Sequence, residues 1–226
     1  MIGPMYLEKA EVFINDCAVK GPKTRHDEET ILSNSQIQVF VWEYANAVQE
    51  LFARVQESGA TILGSKMVLV TLRLQLLGAE VSLDGAHISH EVTAKLAKWP
   101  TCRNPTEVRG FLGTVGVVRH WIRDFAKIAK PLTILTKKMP LNEFEWSEEA
   151  QGAMDLLKHL AATAIPVRAL DYELAWKVKL LDQRDGKLGL VTVHVDLSSI
   201  SVGWMIAQHL VDAEYPIVFR SITFNE

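Results

Sequence analysis

Eight cationic side chains fall in one stretch of this sequence: Arg103, Arg109, Arg119, Arg123, Lys127, Lys130, Lys137 and Lys138. Against them stand only Glu107 and Asp124, a local balance of +6 in a chain whose formal net charge is −3. Clustered Arg and Lys neutralise phosphates, giving affinity that depends on salt and not on base sequence. The cluster fits a solvated helical face equally well in a chain that is acidic as a whole, and residue type leaves both readings open. Oxygen ligands occur in two further places. Asn15-Asp16 lies between short apolar runs, where both side chains accept turn geometry, and Asp196 ends the alternating run from Val191, ahead of Ser198-Ser199. Read by residue type, each is a turn. His26, His87, His90, His120, His159, His194 and His209 show no zinc-like grouping. Cys17 and Cys102 have no second cysteine or histidine at ligand spacing and are read as reduced thiols. Trp99, Trp121 and Trp146 offer rings to bases, but at helix and turn junctions they read as core anchors.

The elements that must hold these residues follow from periodicity. Glu11 to Ile14 and Cys17 to Val19 predict a β-hairpin with Asn15-Asp16 at its tip, followed by a polar loop from Lys23 to Ser35. Ile37, Phe40, Val41, Tyr44, Val48, Leu51, Phe52 and Val55 keep a helical period, and Gly59 is placed to end that helix. Between Lys66 and Ile88, Gly78 and Asp84-Gly85 break short apolar runs into two or three strands. From Glu91 the pattern is helical. Asn104-Pro105-Thr106-Glu107 supplies a cap, a first-turn proline and a glutamate at the third helical position, and Ser147-Glu148-Glu149 opens a helix to about Ala162. Pro166 closes the helical block, and beyond Asp171 the pattern is strand-like, in runs at 191–196, 202–207 and 217–222. The expected fold is α+β, with a boundary near Pro166 and a final three-stranded edge without a covering helix.

Five segments, in this order, resemble the polymerase polyprotein of gypsy-type LTR retrotransposons, especially the fungal members. FINDCAVKGP is similar to the palm hairpin that carries an Asp-Asp pair, and FVWEYANAVQELFARVQESGATILGSK resembles the palm helix and the strand after it. LLGAEVSLDGAHIS resembles the primer-gripping hairpin. WPTCRNPTEVRGFLGTVGVVRHWIRDFAKIAKPLTILTKK through FEWSEEAQGAMDLLKHL looks like thumb and connection, and VTVHVDLSSISVGWMIAQ with RSITFNE looks like the opening strands of an RNase H-like domain. The resemblance implies the C-terminal part of a reverse transcriptase palm at 1–90, helical thumb and connection at 91–165, and N-terminal RNase H-like strands at 166–226.

It also implies chemistry. Both family activities use two divalent ions, Mg2+, held about 3.5–4 Å apart by clustered carboxylates. Asp16 matches the second position of the palm pair, but Asn15 stands at the first and supplies no charge. Asp196 matches the first nuclease ligand, whose partners are expected beyond Glu226. With incomplete sets, this chain is expected to hold Mg2+ weakly and to be inactive alone, unless other Pol chains complete its sites. The expected partner is an RNA/DNA hybrid or primer-template on the basic thumb-like helices. The alternative reading is a non-catalytic nucleic-acid-binding or interaction relic, and a third is a decayed frame that folds poorly. The segment 173–189 fits the family connector poorly. The first residues lack a basic segment followed by an apolar run, and no stretch approaches about 20 apolar residues, so the expectation is an intracellular protein with no membrane or small-molecule cofactor.

Overall fold

The hairpin expected near the start forms between β1 (Ala10–Phe13) and β2 (Asp16–Val19), antiparallel, with Ala10 opposite Val19 and Phe13 opposite Asp16. It belongs to the first of two compact units in the computed structural model, Met1–Thr71 and Leu72–Glu226. The described residues are 9–13, 16–22, 24–82, 84–137, 144–178, 188–211 and 213–224. Asn15, Lys138 and Glu226 lie outside them. Among them, no helix is long and apolar enough to cross a membrane.

In the first unit the expected polar loop contains a second hairpin, β3 (Thr30–Ile31) with β4 (Asn34–Gln38). Its polar side chains hide it from a hydrophobic pattern, because the pairing is made by backbone groups. Helix α1 (Val39–Glu57) follows, and Gly59 takes φ +71° just beyond its end, where a Cβ would be strained. Ala10 of β1 and Leu51 of α1 form the buried contact, with Val19 and Val55 packed around them. Above it Glu50 binds Lys9 at 3.0 Å and Arg54 at 2.9 Å; these partners, Lys9 foremost, hold its carboxyl below the ordinary range.

The second unit opens with a three-stranded antiparallel sheet, β5 (Arg73–Leu76), β6 (Ala79–Ser82) and β7 (Gly85–Ile88). Then come α2 (His90–Ala97), α3 (Pro105–Val117), a 3-10 turn at Arg119–Trp121, α4 (Phe125–Ile134) and α5 (Glu148–Ala162). The predicted caps are made: Asn104 Oδ1 accepts from Glu107 N at 2.9 Å, and Ser147 Oγ accepts from Ala150 N at 3.1 Å. Glu107 reaches one residue beyond the cap, its Oε2 accepting from Arg103 N at 2.7 Å. α4 runs through Pro131, which removes the donor for the Lys127 carbonyl. The core lies where these helices meet: Leu96, Val108, Phe111, Val115, Leu132, Met154 and Leu157 are buried, and Trp99 packs edge-on against Phe111 with centroids 5.8 Å apart.

Beyond this block the sequence reading needs correction, since the first element after Asp171 is helical. α6 (Tyr172–Lys177) is started by Asp171, whose Oδ1 accepts from Leu174 N at 2.9 Å. The second sheet follows, β8 (Val191–Leu197), β9 (Ser201–His209) and β10 (Glu214–Thr223), antiparallel in the order β10-β9-β8. A helix does cover part of it, and it comes from earlier in the chain. α4 packs on β10, and Ala126 N donates to Ser221 Oγ at 2.8 Å. β8 is the far edge, with Val193, Val195 and Leu197 exposed along one face. Around Pro166 the chain runs between the two sheets: Ala86 and Val167 exchange backbone hydrogen bonds of 2.8 and 3.0 Å, and Arg168 N donates to the Pro216 carbonyl at 2.9 Å.

Phe111→Ala empties the centre of this core and should cost about 3–5 kcal/mol, read as a lowered denaturant midpoint. A loss below about 1 kcal/mol would place the core elsewhere.

Candidate nucleic-acid interface

The two aspartates singled out by family pattern sit on strands and face solvent. Asp16 begins β2 in the first unit, and Asp196 lies on β8 opposite Gly203 in the second. Among the described residues, no three His, Cys, Asp or Glu side chains are grouped so as to hold a metal ion. Two hard cations need several oxygen ligands each, so the described donor set does not fit a two-metal centre.

The structure gathers polar groups that linear spacing did not reveal. The antiparallel register brings His194 of β8, His209 of β9 and Glu214 of β10 together. Glu214 Oε1 lies 2.8 Å from His194 Nε2 and 3.4 Å from His209 Nε2, and also accepts the Thr192 hydroxyl. The hydrogen bond from His194, then that from Thr192, holds the Glu214 carboxyl below its ordinary range. The sequence carries no signal for this, because His194 and Glu214 are brought close only by strand pairing.

The basic stretch wraps the helical core. Exposed Arg103 precedes the α3 cap, and Arg109 on α3 donates to the Thr136 carbonyl at 2.6 Å, tying α3 to the end of α4. Arg123 lies 3.6 Å from Asp124 and is partly neutralised there. Lys127 and Lys130 are three residues apart on α4, so they are neighbours on the helix surface. Lys137 is exposed just past α4. Arg119, in the 3-10 turn, lines a cavity with Phe125, Ala126, Trp204, Arg220 and Ser221. The three tryptophans read as anchors pack as anchors. Besides the Trp99 contact, Trp121 Nε1 donates to the Ala86 carbonyl at 2.8 Å and Trp146 Nε1 to Gln151 Oε1 at 2.8 Å. Arg220 and Trp204 were missed because each looks like an ordinary strand residue until α4 is laid against β10.

No protein-family model matches the chain. An uncharacterized mitochondrial protein of Arabidopsis thaliana is 35% identical over 134 residues, 58% of this chain and 73% of that protein. The Gag-Pol polyprotein of baboon endogenous virus is 30% identical over 168 residues, 73% of this chain and 10% of the polyprotein. The Pol polyprotein of transposon 297 from Drosophila melanogaster is 26% identical over 191 residues, 81% of this chain and 16% of its own length. The chain thus spans most of the plant protein but only a small part of the polyproteins. Among solved structures, foamy viral protease-reverse transcriptase in complex with RNA/DNA hybrid superposes with a TM-score of 0.65 at 19% identity, over 82% of this chain and 23% of that one. A second foamy viral protease-reverse transcriptase structure, designated dRH and in complex with double-stranded DNA, gives 0.65 over 82% and 30%. At that identity the likeness is one of fold.

The lowered Glu214 carboxyl fixes a pH dependence. Its contribution to stability is present in full above the unfolded carboxylate value of about 4.3 and is lost as pH falls through the lower folded value. Thermal melts of the unchanged chain and Glu214→Gln should therefore differ at about pH 6 and converge as pH falls below the ordinary carboxylate range. A gap that widened in acid would contradict the cluster.

Proposed function

We propose that this chain, which is similar to retrotransposon and retroviral Pol polyproteins, is a fragment of a reverse transcriptase whose present action is binding nucleic acid. In this reading, 1–90 is the end of the palm, 91–165 the thumb and connection, and 166–226 the start of an RNase H-like domain, of gypsy type and fungal lineage. The observation that carries the binding role is the excess of Arg and Lys between Arg103 and Lys137, on α3, on α4 and in the turns that flank them, around a buried helical core. Packing holds those helices in place, so the charges are presented without being ordered at each encounter. Complexes of the foamy viral enzyme with duplex DNA and with RNA/DNA hybrid support a partner of this chemistry.

Catalysis is a separate matter. The family reactions run on two Mg2+ ions, and Asp16 and Asp196 are the residues here at matching positions. Among the described residues each stands without the companion carboxylates that the chemistry requires, and in this reading the chain alone holds Mg2+ weakly and turns over neither reaction. An intact Pol chain is the partner that would complete the sites, inside the cell where such elements replicate. The second reading, a relic retained for binding alone, is favoured by the same incomplete ligand sets.

A labelled RNA/DNA hybrid titrated across a salt series should bind with a logarithmic slope that falls by about 1 for each phosphate-contacting lysine removed, as in Lys127→Ala with Lys130→Ala. Primer extension and hybrid cleavage with Mg2+ on the same samples should give no product. Salt-insensitive binding would remove the interface. Turnover abolished by Asp16→Ala or Asp196→Ala would overturn the inactivity.

A further inference from the structure

The cavity between α4 and β10 has a volume of about 280 Å³, just below the roughly 300–1,000 Å³ of pockets that enclose a whole small ligand. Its walls are chemically uneven. Arg119 and Arg220 stand on it from different elements, one on the 3-10 turn and one on β10. Neither guanidinium makes a side-chain hydrogen bond or ion pair with a described residue. Arg54, Arg73, Arg109, Arg123 and Arg168 are all engaged, by carboxylates, a carbonyl or the Tyr215 ring. Two guanidiniums with no described partner, sharing a small cavity, repel one another, and an anion between them removes that cost. Asp124, the residue before α4, faces Arg123 at 3.6 Å and lies over Gly203.

A second observation comes from His120, next to Arg119 in the chain. Its Nδ1 is buried without a hydrogen-bond partner among the described residues, and burial, then Arg220, then Arg119, lowers its basicity. Both guanidiniums are thus near enough to raise the potential at one imidazole. Trp204 supplies an aromatic wall, and Lys130 sits four residues from Ala126 and three from Thr133, which both line the cavity. The cavity is therefore continuous with the basic face of α4.

We propose that this cavity is a phosphate-binding site, in which Arg119 and Arg220 together hold one backbone phosphate of a polynucleotide strand lying along α4, with Trp204 against the adjoining sugar or base. The site rests on the nucleic-acid binding proposed above and adds Arg220 and Trp204, which lie outside the basic stretch. Planar guanidiniums match phosphate oxygens bidentately, so substitution by lysine is only partly conservative here.

The test uses the full chain and a labelled RNA/DNA hybrid followed by fluorescence anisotropy. Arg119→Gln and Arg220→Gln should each weaken binding by roughly tenfold and lower the salt slope by about 1, with Arg220→Lys keeping the slope and losing part of the affinity. Both glutamine variants binding like the unchanged chain, while Lys127→Gln with Lys130→Gln binds weakly, would overturn the cavity and leave the interface standing. No binding by the unchanged chain would overturn both. A measurement on the unchanged chain guards against variants that misfold: inorganic phosphate should raise the titration midpoint of His120 followed by NMR, because an anion between the guanidiniums offsets their field. No movement of His120 at saturating phosphate would overturn the site. Movement of His120 with unaltered hybrid affinity in Arg220→Gln would assign the cavity to free phosphate and overturn the polynucleotide assignment.

Discussion

Helix α4 has to be buried on two sides, and the larger unit is built around that requirement. Ala129 and Leu132 point into the helical core, while Ala126 meets Ser221 of the second sheet through a backbone-to-hydroxyl hydrogen bond. A helix with solvent on one narrow strip can show charge only there, which is where Lys127 and Lys130 fall. Hydrophobic burial and charge display are thus one constraint expressed twice along ten residues. The close approach of Asp124 to Gly203 belongs to the same fit, since a Cβ at that position would collide with the carboxylate.

What the sequence made legible follows the reach of local physics. The caps of α3 and α5 depend on side chains three residues apart, and both were readable from Asn104 and Ser147. The hairpins around Asp16 and Gly85 and the three strands after 190 carried alternation or turn residues. The β3–β4 pairing and α6 were not legible, because one rests on backbone hydrogen bonds between polar residues and the other is a single short helical stretch started by Asp171. For the candidate site the division is sharper. The basic run was plain in composition, whereas Arg220, Trp204 and the union of His194, His209 and Glu214 depend on strand register and on packing between distant elements.

The charge pattern also separates affinity from fold. A net charge of −3 makes general adhesion to polynucleotides unfavourable, so any contact must be made by the local excess and must be oriented. Acidic residues elsewhere, such as Glu43, Glu50 and Glu80, are tied up by His26, Lys9, Arg54 and Arg73. Those pairs are exposed or half-exposed and contribute little to stability. Their effect is to leave the α3–α4 region as the conspicuous positive feature.

One strand has a consequence for how the chain behaves in company. Among the described residues β8 is an edge strand, with backbone groups unpaired along one side and Val193, Val195 and Leu197 exposed on one face. A long edge of this kind is a template for another extended segment, and it carries no proline and no lysine to deter one. Crowded copies would then be able to add strand to strand along this edge, so that concentration as well as the stability of a single copy would govern self-association.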